Sequence, residues 1–152
     1  MERIDVKRTN SDNQDFKLLT QQLDEELDII DKSAHEVCMP FNSIQTIKYV
    51  LVAYRNGIAV GCGAIREYED HTIEIKRMFV VTAERGNGIA SALLKELENW
   101  SKELNYNTVI LETGAKMSVA INLYQKHGFT KIPNYGQYER IESSLCFSKD
   151  LL

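Results

Sequence analysis

A chain of 152 residues, 43% hydrophobic and 26% charged, has the length and balance of one soluble globular domain with a continuous core. Its 18 Lys and Arg against 22 Asp and Glu leave a formal charge of -4, so electrostatics make no case for nucleic acid or an anionic membrane as a partner. No apolar run approaches the roughly 20 residues of a spanning helix, and the opening MERIDVKRTNSDNQDF has no apolar signal core, so a cytoplasmic protein is expected.

Ile4 to Thr9 reads as a short first strand. Ser11, three residues before Gln14, is the candidate cap of a helix whose Phe16, Leu19, Leu23 and Leu27 form one apolar face through Ile30. Residues 31–46 lose that period, and Pro40 argues against an uninterrupted helix; a short helix followed by a loop facing substrate is the expectation. Tyr49 to Tyr54 is a strand, and Asn56-Gly57 is a hairpin turn because both residues tolerate positive φ. The returning strand from Ile58 crosses Gly61-Cys62-Gly63, where small residues predict a bulge or a close backbone approach. After a polar turn at Glu67 to His71, Thr72 to Val81 forms the next strand, with its alternation broken near Met78 to Val81.

The period then changes. Ile89, Leu93, Leu94, Leu97, Trp100 and Leu104 recur at spacings of three and four, so the chain continues as a helix. Thr108 to Glu112 follows as a strand, and strand, helix and strand in one sheet imply a parallel crossover. Ser118 is the candidate cap of a further helix ending at Gly128, with strands at Phe129 to Ile132 and Ser143 to Ser148 after it. The fold class is α/β: a single domain over residues 1–152 with a mixed, mainly antiparallel central sheet flanked by helices. Cys38, Cys62 and Cys146 are odd in number and scattered, and His35, His71 and His127 lack ligand spacing. Reduced thiols and no metal are expected.

Arg85-Gly86-Asn87-Gly88 sits where strand becomes helix. Two glycines permit a tight turn that exposes the first helix amides, and those amides with a guanidinium suit a phosphate or pyrophosphate. GxxxxGK[ST] is absent, and the turn lacks the three-glycine dinucleotide fingerprint. It matches R-x-x-G-x-[GA] through Arg85, Gly88 and Ala90, and one helix and strand later AINLYQKHGF, residues 120–129, matches AxxLYxKxGF with Asn at the third position. In both segments the chain resembles the GNAT superfamily of acyl-CoA N-acyltransferases, closely over about residues 72 to 132, with His127 at a variable position.

The resemblance implies that acetyl-CoA is the acyl donor and that the strands near 72–81 and 108–112 splay apart to admit its pantetheine arm. Backbone groups of Phe79, Val80 and Val81 would pair with that arm, and Arg85, Gly86, Asn87, Gly88, Ile89 and Ala90 would hold the pyrophosphate. Asn122 would approach the pantetheine, unless it makes only a local helix hydrogen bond. Tyr124 would protonate the departing sulfur, unless it is a packing aromatic, and Lys126 would meet a phosphate or simply be solvated. Glu74 is the implied base, with a surface pair to Lys76 as its plainer reading; Glu112 is the reserve, and an amide near Val80 is the oxyanion donor.

The expected acceptor is a primary amine, a small or amino-acid-like molecule first and a protein or peptide amine second. Arg66 or Arg77 would read a carboxylate, and Tyr135 and Tyr138 would border the site. A homodimer is compatible with the family. A fold that binds acyl-CoA without turnover is the alternative.

Overall fold

Asn56 and Gly57, at φ 52° and 79°, make the tight turn expected of them, joining β2 (Tyr49–Arg55) to β3 (Ile58–Glu69). The computed structural model describes residues 3–41 and 47–152. Around this hairpin lie β1 (Ile4–Thr9), β4 (Thr72–Val80), β5 (Thr108–Gly114), β6 (Thr130–Ile132) and β7 (Ser144–Asp150), in one seven-stranded sheet of order β1-β2-β3-β4-β5-β7-β6. Only β4 and β5 pair in parallel; every other neighbouring pair is antiparallel. Between those two runs α2 (Ile89–Glu103), and after β5 comes α3 (Ser118–Lys126).

Two apolar layers cover the sheet. Ile73, Ile75, Val109 and Leu111 pack with Ile89, Leu93, Leu94 and Leu97 of α2. Val50, Val52, Cys62, Ala64 and Phe79 pack with Phe16, Leu19 and Leu23 of α1 (Gln14–Cys38). Since successive strand residues face opposite ways, Glu74 and Lys76 share the side away from α2.

A bulge explains the broken alternation. Cys62 pairs with Phe79 and Ala64 with Lys76, so Gly63 alone opposes Arg77 and Met78. Arg77 takes φ 60°, and the extra residue reverses parity: Ile75 faces α2 before it, and Val80, not Phe79, does so after it. Gly63 leaves room opposite for Met78: a Cβ there would lie 2.6 Å from Met78 Sδ and 3.1 Å from Leu97 Cδ1, so those side chains would have to shift.

Two local expectations, both of helix caps, need correction. Asn13, not Ser11, caps α1: its Oδ1 accepts from Phe16 N at 2.9 Å. The first run of α1 ends after Ile30 and a short helix follows, as expected. The break is at Asp31 (φ −159°, ψ 86°), whose Oδ1 accepts from Ala34 N at 3.3 Å and starts a second segment reaching Cys38. Pro40 then lies in a 3₁₀ turn, Met39–Phe41, while residues 42–46 of the expected substrate-facing loop lie outside the described residues. Ser118 is the first residue of α3; Met117 occupies the cap position and no side chain caps it. No helix among the described residues is long and apolar enough to cross a membrane.

Candidate active site

The parallel pairing of β4 with β5 covers only Thr72–Thr108 to Ile75–Leu111, although β4 runs on to Val80 and β5 to Gly114. Beyond Ile75 and Leu111 the strands diverge. Val81 N–H donates to Val60 O at 2.9 Å, so strand alternation turns the N–H and C=O of Val80 away from β3 and into this gap. The Val80 carbonyl accepts from Arg85 Nε at 2.9 Å.

A cleft of about 470 Å³ opens there, walled by Phe79 and Val80, by Arg85 through Ser91 except Asn87, by α3 and by Glu26 and Ile30 of α1. Gly86 and Gly88 take φ 84° and 81°, and no atom lies within 4 Å of where a Cβ would stand on either. Their missing side chains leave a cradle at the start of α2, where the amides of Gly88 to Ser91 have no partner from a preceding helical turn. Arg85 flanks it, with Nη2 on Glu26 Oε2 at 2.7 Å and its guanidinium 5.7 Å from the Phe79 ring centre. The cradle, the cationic flank and the outward Val80 amide fit the pyrophosphate and pantetheine of coenzyme A.

A smaller inner cavity of about 120 Å³ shares Leu23, Met78, Met117, Ala120 and Tyr124 with the cleft and adds Lys76, Glu112, Thr113 and Tyr138. Tyr124 is therefore the polar side chain common to both. It is buried, and burial together with the nearby Glu112 charge pushes its phenol well above the usual range, so the hydroxyl keeps its proton. Burial also raises the Glu112 carboxyl, against a 2.5 Å hydrogen bond from Ser144 Oγ and the Lys76 charge. Lys76 is lowered by burial, with Glu74 opposing; its Nζ donates to Tyr138 Oη at 2.9 Å. A third cavity, about 70 Å³, runs from Glu112 past Cys38 to His35.

Residues 17–129 match the model of the Acetyltransferase (GNAT) family. The chain belongs to the GNAT acetyltransferase family. An IAA acetyltransferase from Azospirillum brasilense is 39% identical over 102 residues, which cover 66% of this chain and 67% of that protein. Human N-acetylaspartate synthetase is 40% identical over 79 residues, 51% of this chain but only 26% of that protein. A Klebsiella pneumoniae structure described as an acyl-CoA N-acyltransferase is 27% identical, covers 98% of both chains and superposes with a TM-score of 0.83. This GNAT chain is thus an N-acetyltransferase.

Within this acetyltransferase the residues singled out from sequence separate into groups. Phe79, Val80, Arg85, Gly86, Gly88, Ile89, Ala90 and Tyr124 all line the cleft. Asn87 instead donates from Nδ2 to Glu84 O at 3.2 Å, and the Val81 amide is held by Val60. Asn122 and Lys126 are exposed on α3 and do not line the cleft. Glu74 is 1% exposed and lines neither the cleft nor the inner cavity; Tyr135 Oη donates to its Oε2 at 2.5 Å and Arg66 Nη2 stands 3.5 Å from its Oε1. Glu112, the reserve base, lines the inner cavity. Glu26 and Lys76 were not foreseen as site residues. Lys76 had a signal in its strand parity with Glu74; Glu26 had none, because its approach to Arg85 depends on how α1 lies across the sheet.

Proposed function

We propose that this N-acetyltransferase moves the acetyl group of acetyl-CoA to the primary amine of a small, amino-acid-like acceptor through a ternary complex, with residues 1–152 acting as one unit. The observation that carries the reading is the divergence of β4 from β5, because it joins the glycine cradle to the inner cavity at a single shared hydroxyl, that of Tyr124. The similarity to an N-acetylaspartate synthetase supports the acceptor class.

When bound, acetyl-CoA supplies an acyl group already activated as a thioester. The amides at the start of α2 hold the pyrophosphate, with Arg85 exchanging Glu26 for phosphate oxygens. The Val80 N–H, turned into the gap, stabilises negative charge on the acyl oxygen during attack. An amine arrives protonated and must lose a proton before it can attack. Glu112 is the base on this reading: it borders the inner cavity, and burial moves its carboxyl toward the pH at which a base works best. Glu74, the base expected from sequence, is the competing candidate and acts only if Tyr135 gives it up. Tyr124 retains its proton at Oη and delivers it to the leaving sulfur.

Thiol release from acetyl-CoA, measured against pooled primary amines with mass detection of products, tests the proposal. An N-acetylated amine is expected. Coenzyme A binding without any acetylated product would overturn it.

A further inference from the structure

An acceptor that carries a carboxylate needs a cation in the inner cavity, which Lys76 and Arg77 both line and Arg66 does not. Arg77 is 7% exposed and its Nη2 donates to Thr20 O at 3.0 Å and to Asp24 Oδ1 at 2.9 Å, tying the bulge of β4 to α1. Arg66 reaches toward Glu74 and does not line the cavity. Lys76 does line it, 6% exposed, one residue before the bulge. Its Nζ is oriented by Tyr138, whose hydroxyl accepts at 2.9 Å and whose ring centre lies 5.6 Å away. Glu112 borders the same cavity from β5, beyond the last strand pair. The space is about 120 Å³, and Leu27, Met78, Met117 and Ala120 make its apolar wall.

The cavity is thus lined by two cationic residues, Lys76 and the Arg77 that is tied to Asp24, and by the half-buried carboxylate of Glu112, and charge there is screened less than in open water. We propose that Lys76 determines acceptor specificity by binding the carboxylate of a small amino acid while its amine faces Glu112 and Tyr124. The assignment rests on the acetyl-transfer reading above. A zwitterion brings a positive group to Glu112 and a negative one to Lys76, which adds an opposite charge to each beside those that Glu74, Lys76 and Glu112 already exert on one another. A simple alkylamine brings only positive charge and leaves the ammonium of Lys76 repelling it, which disfavours the wrong substrate as well as favouring the right one. The small volume restricts the class to acceptors with short side chains.

The test compares kcat/KM for glycine, alanine and aspartate with that for the corresponding α-carboxamides, each corrected for its free-amine fraction. The wild type should prefer the acid of each pair by roughly 10- to 100-fold, the size of one buried charge-assisted hydrogen bond. Lys76→Met should abolish most of that preference and Lys76→Arg should keep part of it. A binding readout accompanies these: calorimetric titration of N-acetylalanine and N-acetylalaninamide into the coenzyme A-loaded protein should show the same preference in the wild type and its loss in Lys76→Met. The wild-type comparison decides even where a variant folds poorly. Turnover of the amines without a preference for the acid, or a preference unchanged in folded Lys76→Met, would overturn the role of Lys76 and leave acetyl transfer standing. No acetylated product from any acceptor would overturn acetyl transfer itself, and the role of Lys76 with it.

Discussion

Tyr124 lines both the cleft and the inner cavity, and burial with the nearby Glu112 charge pushes its phenol above the usual range. Removing only the hydroxyl in Tyr124→Phe should lower kcat by about 10² to 10⁴-fold, the usual worth of a positioned acid, with coenzyme A affinity and Tm retained. Steady-state kinetics with calorimetry would show it, and unchanged turnover under rate-limiting chemistry would make Tyr124 a packing residue. Glu112 has a consequence for stability as well as rate. Its carboxyl binds a proton more tightly folded than unfolded, so it contributes stability that is complete below the ordinary glutamate value of 4.5 and is lost as pH rises through its own raised value. Glu112→Gln resembles the protonated acid. Its Tm relative to wild type should therefore be higher at pH 8 than at pH 4, while its kcat/KM near neutrality falls and recovers toward high pH; a parallel Glu74→Gln profile distinguishes the two carboxylates. Both acids were visible in the sequence, but the cover over Glu74 was not. Strand parity puts Glu74 beside Lys76, yet what covers Glu74 is Tyr135, from a loop 61 residues further along.

The strand–glycine–helix unit was the most legible part, since a strand, a left-handed turn and an amphipathic helix each follow from local residue chemistry. At Gly88 the constraint is conformation and not space. A side chain there meets nothing within 4 Å, and the constraint is φ 81°, which a β-branched residue adopts at a cost of about 1–2 kcal/mol or more. Gly88→Val should weaken coenzyme A binding about tenfold by forcing the turn out of its cradle shape, measured by calorimetric titration of the folded variant. Gly61 is different. Its added Cβ would lie 3.0 Å from Phe79 O and 3.2 Å from both Ile89 Cγ2 and Leu93 Cδ1, so Gly61→Ala should destabilise by about 1–3 kcal/mol in denaturant unfolding by pushing α2 off β3. A close approach or a bulge around Gly61 to Gly63 was readable from the small residues, while the failed alternation at Met78 to Val81 was visible without its cause. The short helix after Ile30 was readable from the lost period and Pro40, but the cap that starts it, Asp31 Oδ1 accepting from Ala34 N, was not.

Across the sheet, the antiparallel first strands and the one parallel pair were legible from turn chemistry and the crossover, because each depends on neighbours in sequence, whereas the antiparallel pairing of β7 with β5 and β6 was not. That the parallel pair separates after four residues came only through resemblance to a family, since no local signal in β5 marks where its pairing with β4 ends. The separation matters most for function: it lets α3 deliver Tyr124 from one face of the sheet while Glu112 and Lys76 border the same cavity from the strands. Opening the sheet leaves backbone groups of β4 without a strand partner, a cost that a bound ligand making strand-like hydrogen bonds would offset. A crystal structure of the complex with coenzyme A tests this directly. The pyrophosphate should lie on the amides of Gly88 to Ser91 with Arg85 turned from Glu26, the pantetheine along Val80, and the sulfur within hydrogen-bond reach of Tyr124 Oη. Coenzyme A bound outside the gap between β4 and β5, or with its sulfur remote from Tyr124, would contradict the account.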